Sequence, residues 1–304
     1  MRFIWLSVAT ISLITISALH QSGSTERSAS RFAYVANDSD DTISILAIER
    51  ARFRTIGYVY LGKDSAPRQL VLTPSQRFLY VTGGGTGISA YSVDAVEGGL
   101  EPLAGSPFPV GAHSQLAMHP SGKVLLVTNA KGLLSYAIST TSGSLNLLSS
   151  LSQSGLAGAV VSRTSFVYAA NTSENAVDAY SLDLSTGALI PVEGSPFFTG
   201  LRPSQPTIDP QGHFLFVPNT GEASVSVFSI NAKSGTLREV SGSPFPAGRM
   251  PISGATSRAG GFLYVGNVQD KTISQYAVDP VTGALKPIAK PQIIPSYRLS
   301  ASHS

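Results

Sequence analysis

The chain has 304 residues, enough for one large domain or two smaller ones. Apolar residues make up 42% and charged residues 13%, with 29 glycines and 19 prolines, a mixture that favours short strands and tight turns over helices. The net charge is +3 with the basic residues scattered, so no footprint for nucleic acid is present, and the lack of cysteine excludes disulfides and thiol chemistry.

Arg2 is followed by an almost wholly apolar or small run from Phe3 to Leu19, and then by the polar stretch "QSGSTERSAS". A charged tip, an apolar run and a polar exit describe a secretory signal. The run falls a little short of the ~20 residues of a full membrane span, so cleavage is expected over an anchor. Residues 1–20 are expected to be a signal peptide, 21–30 a flexible linker and 31–304 one domain. The expected location is secreted, periplasmic or cell-surface, with no membrane association after cleavage.

From Phe32 onward the chain repeats itself. "FAYV" at Phe32 returns as "FLYV" at Phe78, "VLLV" at Val124, "FVYA" at Phe166, "FLFV" at Phe214 and "FLYV" at Phe262, in steps of 46, 46, 42, 48 and 48 residues. A polar turn follows each, then an alternating strand such as "TISILAI" or "SVSVFSI", then a Gly-centred turn and a third strand. A fourth strand closes the unit, at Arg68–Thr73, Gln115–His119, Ala157–Ser162, Gln205–Asp209 and Ile252–Thr256. Four short strands per ~45 residues predict an all-β fold, a β-propeller of four-stranded blades with six repeats. The closing "PSYRLSASHS" matches "APRQLVLTPS", so the C-terminal strand is expected to complete the first blade and shut the ring.

"GSPFP" at Gly105–Pro109 recurs at Gly242–Pro246, with "GSPFF" at Gly194–Phe198. Its place on or after the outermost strand suits a residue without an N–H, and its Phe is expected to pack between blades. WD-type blades need Trp-Asp pairs, and Trp5, inside the leader, is the chain's one tryptophan. Kelch blades need paired glycines and aromatics in every repeat, and these do not recur.

"FLYVTG", "TISQYAVDPVTGAL" and "GSPFPVG" resemble the lactonase family of propellers, related to 6-phosphogluconolactonase and to YVTN-repeat surface proteins. The resemblance covers residues 31–304 and implies the fold. It also implies, if the chain is an enzyme, a lactonase opening a sugar lactone by metal-independent or Mg²⁺-assisted hydrolysis; no cofactor is expected. Members of the family usually have seven blades, against six openings here.

The fourth strand is expected to line the channel, with function at its mouth. In the family this strand often begins Pro-Arg-His. Here Pro67-Arg68-Gln69 keeps the arginine and replaces the histidine with glutamine, and His113 comes two places early in the next copy. Gln69, Gln115 and Gln205 share one position, with Arg202 near the last. Carboxamides facing one channel suit a polar ligand such as a sugar or lactone, or they satisfy neighbouring backbone groups. Ligand candidates are therefore Arg68, Gln69, Gln115, Arg202 and Gln205.

The family often places Glu after the Asn that ends the "FLYV" strand; of these positions only Asp38 is acidic here. Lactone hydrolysis needs a base for water and donors for the oxyanion. Arg68 suits the oxyanion, and Asp38 or His113 the base. "TGGGTG" at Thr82–Gly87 precedes a strand, so it lacks the helix N-terminus of a phosphate loop. "NDSDD" at Asn37–Asp41 lacks the Gly and distal Glu of a calcium loop and reads as a turn. His119 and His213 are expected at the surface, and no histidine spacing suits a metal. Asn37 and Asn171 match N-x-S/T, which matters only in a eukaryotic secretory pathway.

Three roles follow: a binding or surface-interaction scaffold, a sugar lactonase, or a structural repeat protein.

Overall fold

The computed structural model describes residues 31–49, 52–85, 87–111, 114–288 and 292–293. The segments expected to be signal and linker, His113 and the expected closing strand near Tyr297 lie outside these residues. The described chain forms six antiparallel sheets.

The first sheet holds β1 (Arg31–Asn37), β2 (Thr42–Glu49) and β3 (Arg52–Tyr60). The second holds β4 (Gln69–Leu72), β5 (Phe78–Thr82), β6 (Gly87–Val93), β7 (Leu100–Pro102) and β8 (Phe108–Pro109). The third holds β9 (Gln115–Met118), β10 (Val124–Asn129), β11 (Gly132–Ile138) and β12 (Leu145–Ser152). The fourth holds β13 (Leu156–Val161), β14 (Phe166–Asn171), β15 (Ala176–Leu182), β16 (Leu189–Pro191) and β17 (Phe197–Phe198). The fifth holds β18 (Thr207–Ile208), β19 (Phe214–Asn219), β20 (Ser224–Ile230), β21 (Leu237–Glu239) and β22 (Phe245–Pro246). The sixth holds β23 (Pro251–Thr256), β24 (Phe262–Asn267), β25 (Thr272–Val278), β26 (Leu285–Pro287) and β27 (Gln292–Ile293).

Strands follow one another in chain order across each sheet, as hairpin-linked antiparallel strands do, except that β8, β17, β22 and β27 return to pair with β6, β15, β20 and β25. The strands anticipated as closing elements are β4, β9, β13, β18 and β23. β18 is short because Pro206 has no N–H for the ladder; an isolated Pro203–Asn219 bridge continues the pairing beyond it.

Local chemistry sets each turn. Where the leading strand turns into the next, a side-chain oxygen accepts the following N–H: Thr73 from Phe78 (3.2 Å), Ser162 from Phe166 (3.0 Å), Asp209 from Phe214 (2.6 Å) and Ser257 from Phe262 (3.1 Å). After the third strand, Asp94, Asp183 and Asp279 each cap a tight turn by accepting two backbone N–H groups.

The recurrent pentapeptide has a defined task at each residue. Gly105, Gly194 and Gly242 take the left-handed conformation, with φ of 82°, 83° and 88°. The Ser-Pro bonds that follow are cis. Ser106, Ser195 and Ser243 accept the N–H of Ala90, Ala179 and Val227 at 2.9, 2.9 and 3.0 Å. The next two residues then pair with the start of the third strand, so β7 and β8 share the outer edge of β6 between them. Phe108 and Phe245 pack against cores that join two sheets, as expected.

The chain divides into two compact units. One runs to Ala169 and takes up Tyr180–Pro191 again; the other comprises Ala170–Ala179 and the chain from Val192. In the first unit, Tyr34, Ile43 and Ile45 of the first sheet pack on Leu79, Val81 and Tyr91 of the second. Phe78, Tyr80 and Ile88 pack on Leu116, Leu125 and Val127 of the third, and Leu126 and Leu133 on Val161, Val167 and Tyr180 of the fourth. In the second unit, Phe214, Phe216 and Val227 pack on Leu263, Val265 and Tyr276. Each such side chain contributes about 1.5–3 kcal/mol by leaving water.

Buried hydroxyls cross between sheets as well. Tyr34 donates to the Gly98 carbonyl (2.8 Å), Tyr80 to Gly143 (2.6 Å) and Ser135 to Gly187 (2.7 Å). Burial, with Asp94 nearby, pushes the Tyr34 hydroxyl up to about 12. Gly98 and Gly143 sit at φ of 73° against the rings of Phe32 and Phe78, where no Cβ fits.

Candidate functional site

The site candidates lie where the leading strands begin, at the same end of each sheet as the turn between the second and third strands. In the first unit, Arg68 precedes β4. Its N–H bonds the Thr82 carbonyl at 2.8 Å, and its side chain is exposed with no polar partner among the described residues. Gln69, beside it, is engaged twice with the next sheet. Its Nε2 donates to the Leu116 carbonyl (2.9 Å) and its Oε1 accepts the Leu116 N–H (2.6 Å). Gln115, at the same repeat position, is half-buried and has no side-chain hydrogen bond among the described residues.

Asp38 sits half-buried in the β1–β2 turn, with the Ser39 hydroxyl on its Oδ1 at 3.2 Å. Asp41 of the same turn does more. Its carboxylate accepts the N–H of Ala66 (2.7 Å), the N–H of Asp64 (3.0 Å) and the Ser65 hydroxyl (3.2 Å). The Ala66 N–H leads in holding this carboxyl below its ordinary value. It also anchors Ala66 at φ 37°, a left-handed conformation unusual for a residue with a side chain. The turn bearing Asp38 is thereby tied to the loop bearing Arg68. His113 lies outside the described residues.

The second unit repeats the device. Asn175 Oδ1 accepts the Arg202 N–H (2.8 Å), and Asp270 accepts the Arg249 N–H (2.7 Å). Arg202 and Met250 are left-handed, at φ 53° each, immediately before Pro203 and Pro251. The Arg202 side chain is exposed, while Arg249 pairs through Nε with Asp270 at 2.6 Å. Gln205 is half-buried, and its N–H bonds the Ile252 carbonyl of the next sheet at 3.2 Å.

The asparagines that end β1, β19 and β24 tie their strands to the next. Asn37, Asn219 and Asn267 each donate to two hydroxyls of the following strand at 2.8–3.0 Å. Asn171 donates to the buried Asp178 carboxylate (3.0 Å) and is itself fully buried, so its amide offers no acceptor for a glycan in the folded state.

His119 corrects an expectation. It is 4% exposed rather than a surface group, because its ring turns inward to Ser121 and Ser165. His213 is exposed, as expected. The latches at Asp41, Asn175 and Asp270 and the buried Asp178 were not singled out from sequence. An acidic or amide residue four places after the strand-ending Asn marks the first two.

Among the described residues no group of three or more His, Cys, Asp or Glu is placed to hold a metal, and no helix is long and apolar enough to cross a membrane. A cleft of about 470 Å³ in the first unit is lined by Phe32, Ile45, Ile56 and Val96, with Arg54 and Glu97; it includes none of the candidates.

Repeated antiparallel sheets of three to five strands, latched turn to loop, define a propeller-type repeat protein. The chain belongs to the family described as Lactonase, 7-bladed beta-propeller, whose model matches residues 9–114, 80–205 and 190–298. Six sheets are described here against the seven of that description. No curated protein matches the chain.

Among solved structures, the chain is similar to a Bacteroides uniformis protein proposed as a 6-phosphogluconolactonase. The identity is 19% and the TM-score 0.72, over 89% of this chain and 84% of that one. It is similar to a Desulfotomaculum acetoxidans protein of unknown function at 17% identity and TM-score 0.71, over 85% and 78%. It is also similar to the periplasmic gluconolactonase PpgL of Pseudomonas aeruginosa at 17% identity and TM-score 0.51, over 87% and 96%. Identities of this size show the fold alone.

Proposed function

We propose that this chain is an exported binding protein that takes a polar ligand of the sugar-acid or sugar-lactone class at the loop end bearing Arg68. One observation carries the reading: Asp41 fixes the loop before Arg68 while the guanidinium itself stays exposed without a polar partner among the described residues. A fixed backbone under an exposed cation suits an oxygen-rich, anionic or strongly dipolar ligand. Gln115 is the second donor, whereas Gln69 is committed to Leu116. Arg202 and Gln205 serve the corresponding end of the second unit.

Calorimetric titration with gluconate tests the reading. Binding is expected in wild type, about tenfold weaker in Arg68→Ala and unchanged in Lys123→Ala, at the other end of the third sheet. Absence of binding, or equal binding by Arg68→Ala, overturns it.

A second reading, lactone hydrolysis, draws on the family description and on the gluconolactonase names of two structural neighbours. In it Arg68 steadies the oxyanion and Asp38 activates water. Glucono-δ-lactone and 6-phosphogluconolactone opened faster than spontaneously by wild type, but not by Arg68→Ala or Asp38→Asn, would establish it over the scaffold. Export rests on the leader at residues 1–20; recovery of the protein with its leader intact from the producing cells' cytoplasm alone would defeat it.

A further inference from the structure

Four of the six sheets have a short outer edge. β7, β16 and β26 end in Pro102, Pro191 and Pro287, β21 ends in Glu239, and each spans three residues. Prolines, charges and brevity prevent another strand from adding there. β3 is neither short nor broken by proline, and its charges, Arg52 and Arg54, are confined to its first half. It runs nine residues without proline along the whole of β2, with one bulge at Ile56, and ends the strand order of its sheet among the described residues. Phe53, Tyr58 and Tyr60 are 65%, 60% and 63% exposed, and Ile56 is exposed beside them. The other long outer strand, β12, is rich in serine and exposes Leu147 as its one large apolar side chain. A long aromatic edge with outward-facing backbone groups is a template for a further strand.

We propose that β3 pairs antiparallel with the β3 of a second copy of this chain, merging two first sheets across a two-fold axis. The charge pattern selects both partner and direction. Arg52 and Arg54 occupy the first half of the strand, Tyr58 and Tyr60 the second, and the strand has no acidic residue. Antiparallel pairing lays the cationic half of each copy against the tyrosine half of the other, where guanidinium and aromatic groups attract. Parallel pairing sets arginine against arginine. A two-fold pairing consumes the same edge on both copies, so assembly stops at the dimer.

Sedimentation velocity of the purified chain tests this. Wild type is expected to sediment as a dimer at about 10 µM. Tyr58→Lys and Ile56→Lys are expected to sediment as folded monomers with an unchanged far-ultraviolet spectrum, and Leu147→Lys on β12 as a dimer. A monomeric wild type up to roughly 100 µM, an assembly larger than two, or a dimer that survives either folded lysine variant overturns the proposal. Because both sites are exposed, one variant carries the test should the other misfold.

Discussion

His119 and Ser165 are joined across the third and fourth sheets, with the imidazole Nε2 3.1 Å from the serine Oγ. The Ser121 N–H points at Nδ1 from 3.0 Å, so that nitrogen carries the lone pair and Nε2 the proton. His119 therefore donates to Ser165. A serine nucleophile needs the opposite arrangement, with the hydroxyl donating to the ring, so this pair is a strut between two turns.

The strut makes stability depend on pH. Burial holds the His119 ring below its ordinary value of 6.5. As pH falls below about 6.5, the unfolded chain takes up the proton before the folded one does. The stabilisation is complete above that value and declines as pH drops towards the depressed folded value. The urea midpoint of wild type is expected to fall between about pH 7.5 and pH 5.5, with a flatter dependence in His119→Asn. Equal slopes for the two proteins would count against the strut.

The serines of the repeated pentapeptide each satisfy a strand N–H at 2.9–3.0 Å. Replacing Ser106, Ser195 or Ser243 by alanine is expected to cost about 1–3 kcal/mol, the penalty for an unsatisfied buried donor. Urea denaturation reads this directly, and a loss under a few tenths of a kcal/mol at all three sites would exclude the capping role.

Gln69 and Gln115 share a repeat position but differ in their bonds, and their variants should separate. Gln69→Ala strips two partners from the Leu116 backbone and is expected to lower stability by about 1–3 kcal/mol. Gln115→Ala is expected to leave stability within about 0.5 kcal/mol of wild type and to weaken gluconate binding. Matching thermal midpoints for the two variants would contradict this division.

Asp41 should act through the loop it holds. In Asp41→Ala, hydrogen exchange at the Ala66 amide is expected to accelerate about tenfold, and gluconate affinity to fall because Arg68 loses its fixed base. Asp41→Asn keeps an accepting oxygen and is expected to lie between the two. Hydrogen bonding lowers this carboxyl's pKa, so the latch is intact above its ordinary value of 3.8 and weakens as pH falls through the depressed value. Unchanged exchange at Ala66 in the alanine variant would remove the latch from the account.

Strand order was legible from the period set by Phe32, Phe78, Val124, Phe166, Phe214 and Phe262, because alternation within each repeat already marks which side chains must leave water. The pairing of Phe108 with Ile88 was not, since it depends on β7 being too short to cover the edge of β6. His119 escaped because a turn residue's burial is decided by its neighbour sheet, here by Ser165, 46 residues away. Gln69 likewise looked like a ligand contact only while its partner, Leu116 of the following repeat, was unknown. Arg68 was named because its place beside Pro67 can be read in one repeat; Asp41 acts across 25 residues on Ala66, and its spacing from Asn37 marks the residue but not the partner.

The tyrosine that reaches forward from Tyr34 to Gly98 does so again, one repeat later, from Tyr80 to Gly143. Donor and acceptor sit at equivalent places in these two copies, whereas Leu126 and Phe216 fill the tyrosine's place in the third and fifth and join their neighbours by packing alone. Nothing in a single copy records how many there are. Unequal recombination within the gene could remove or duplicate such a copy and leave the new junction chemically familiar.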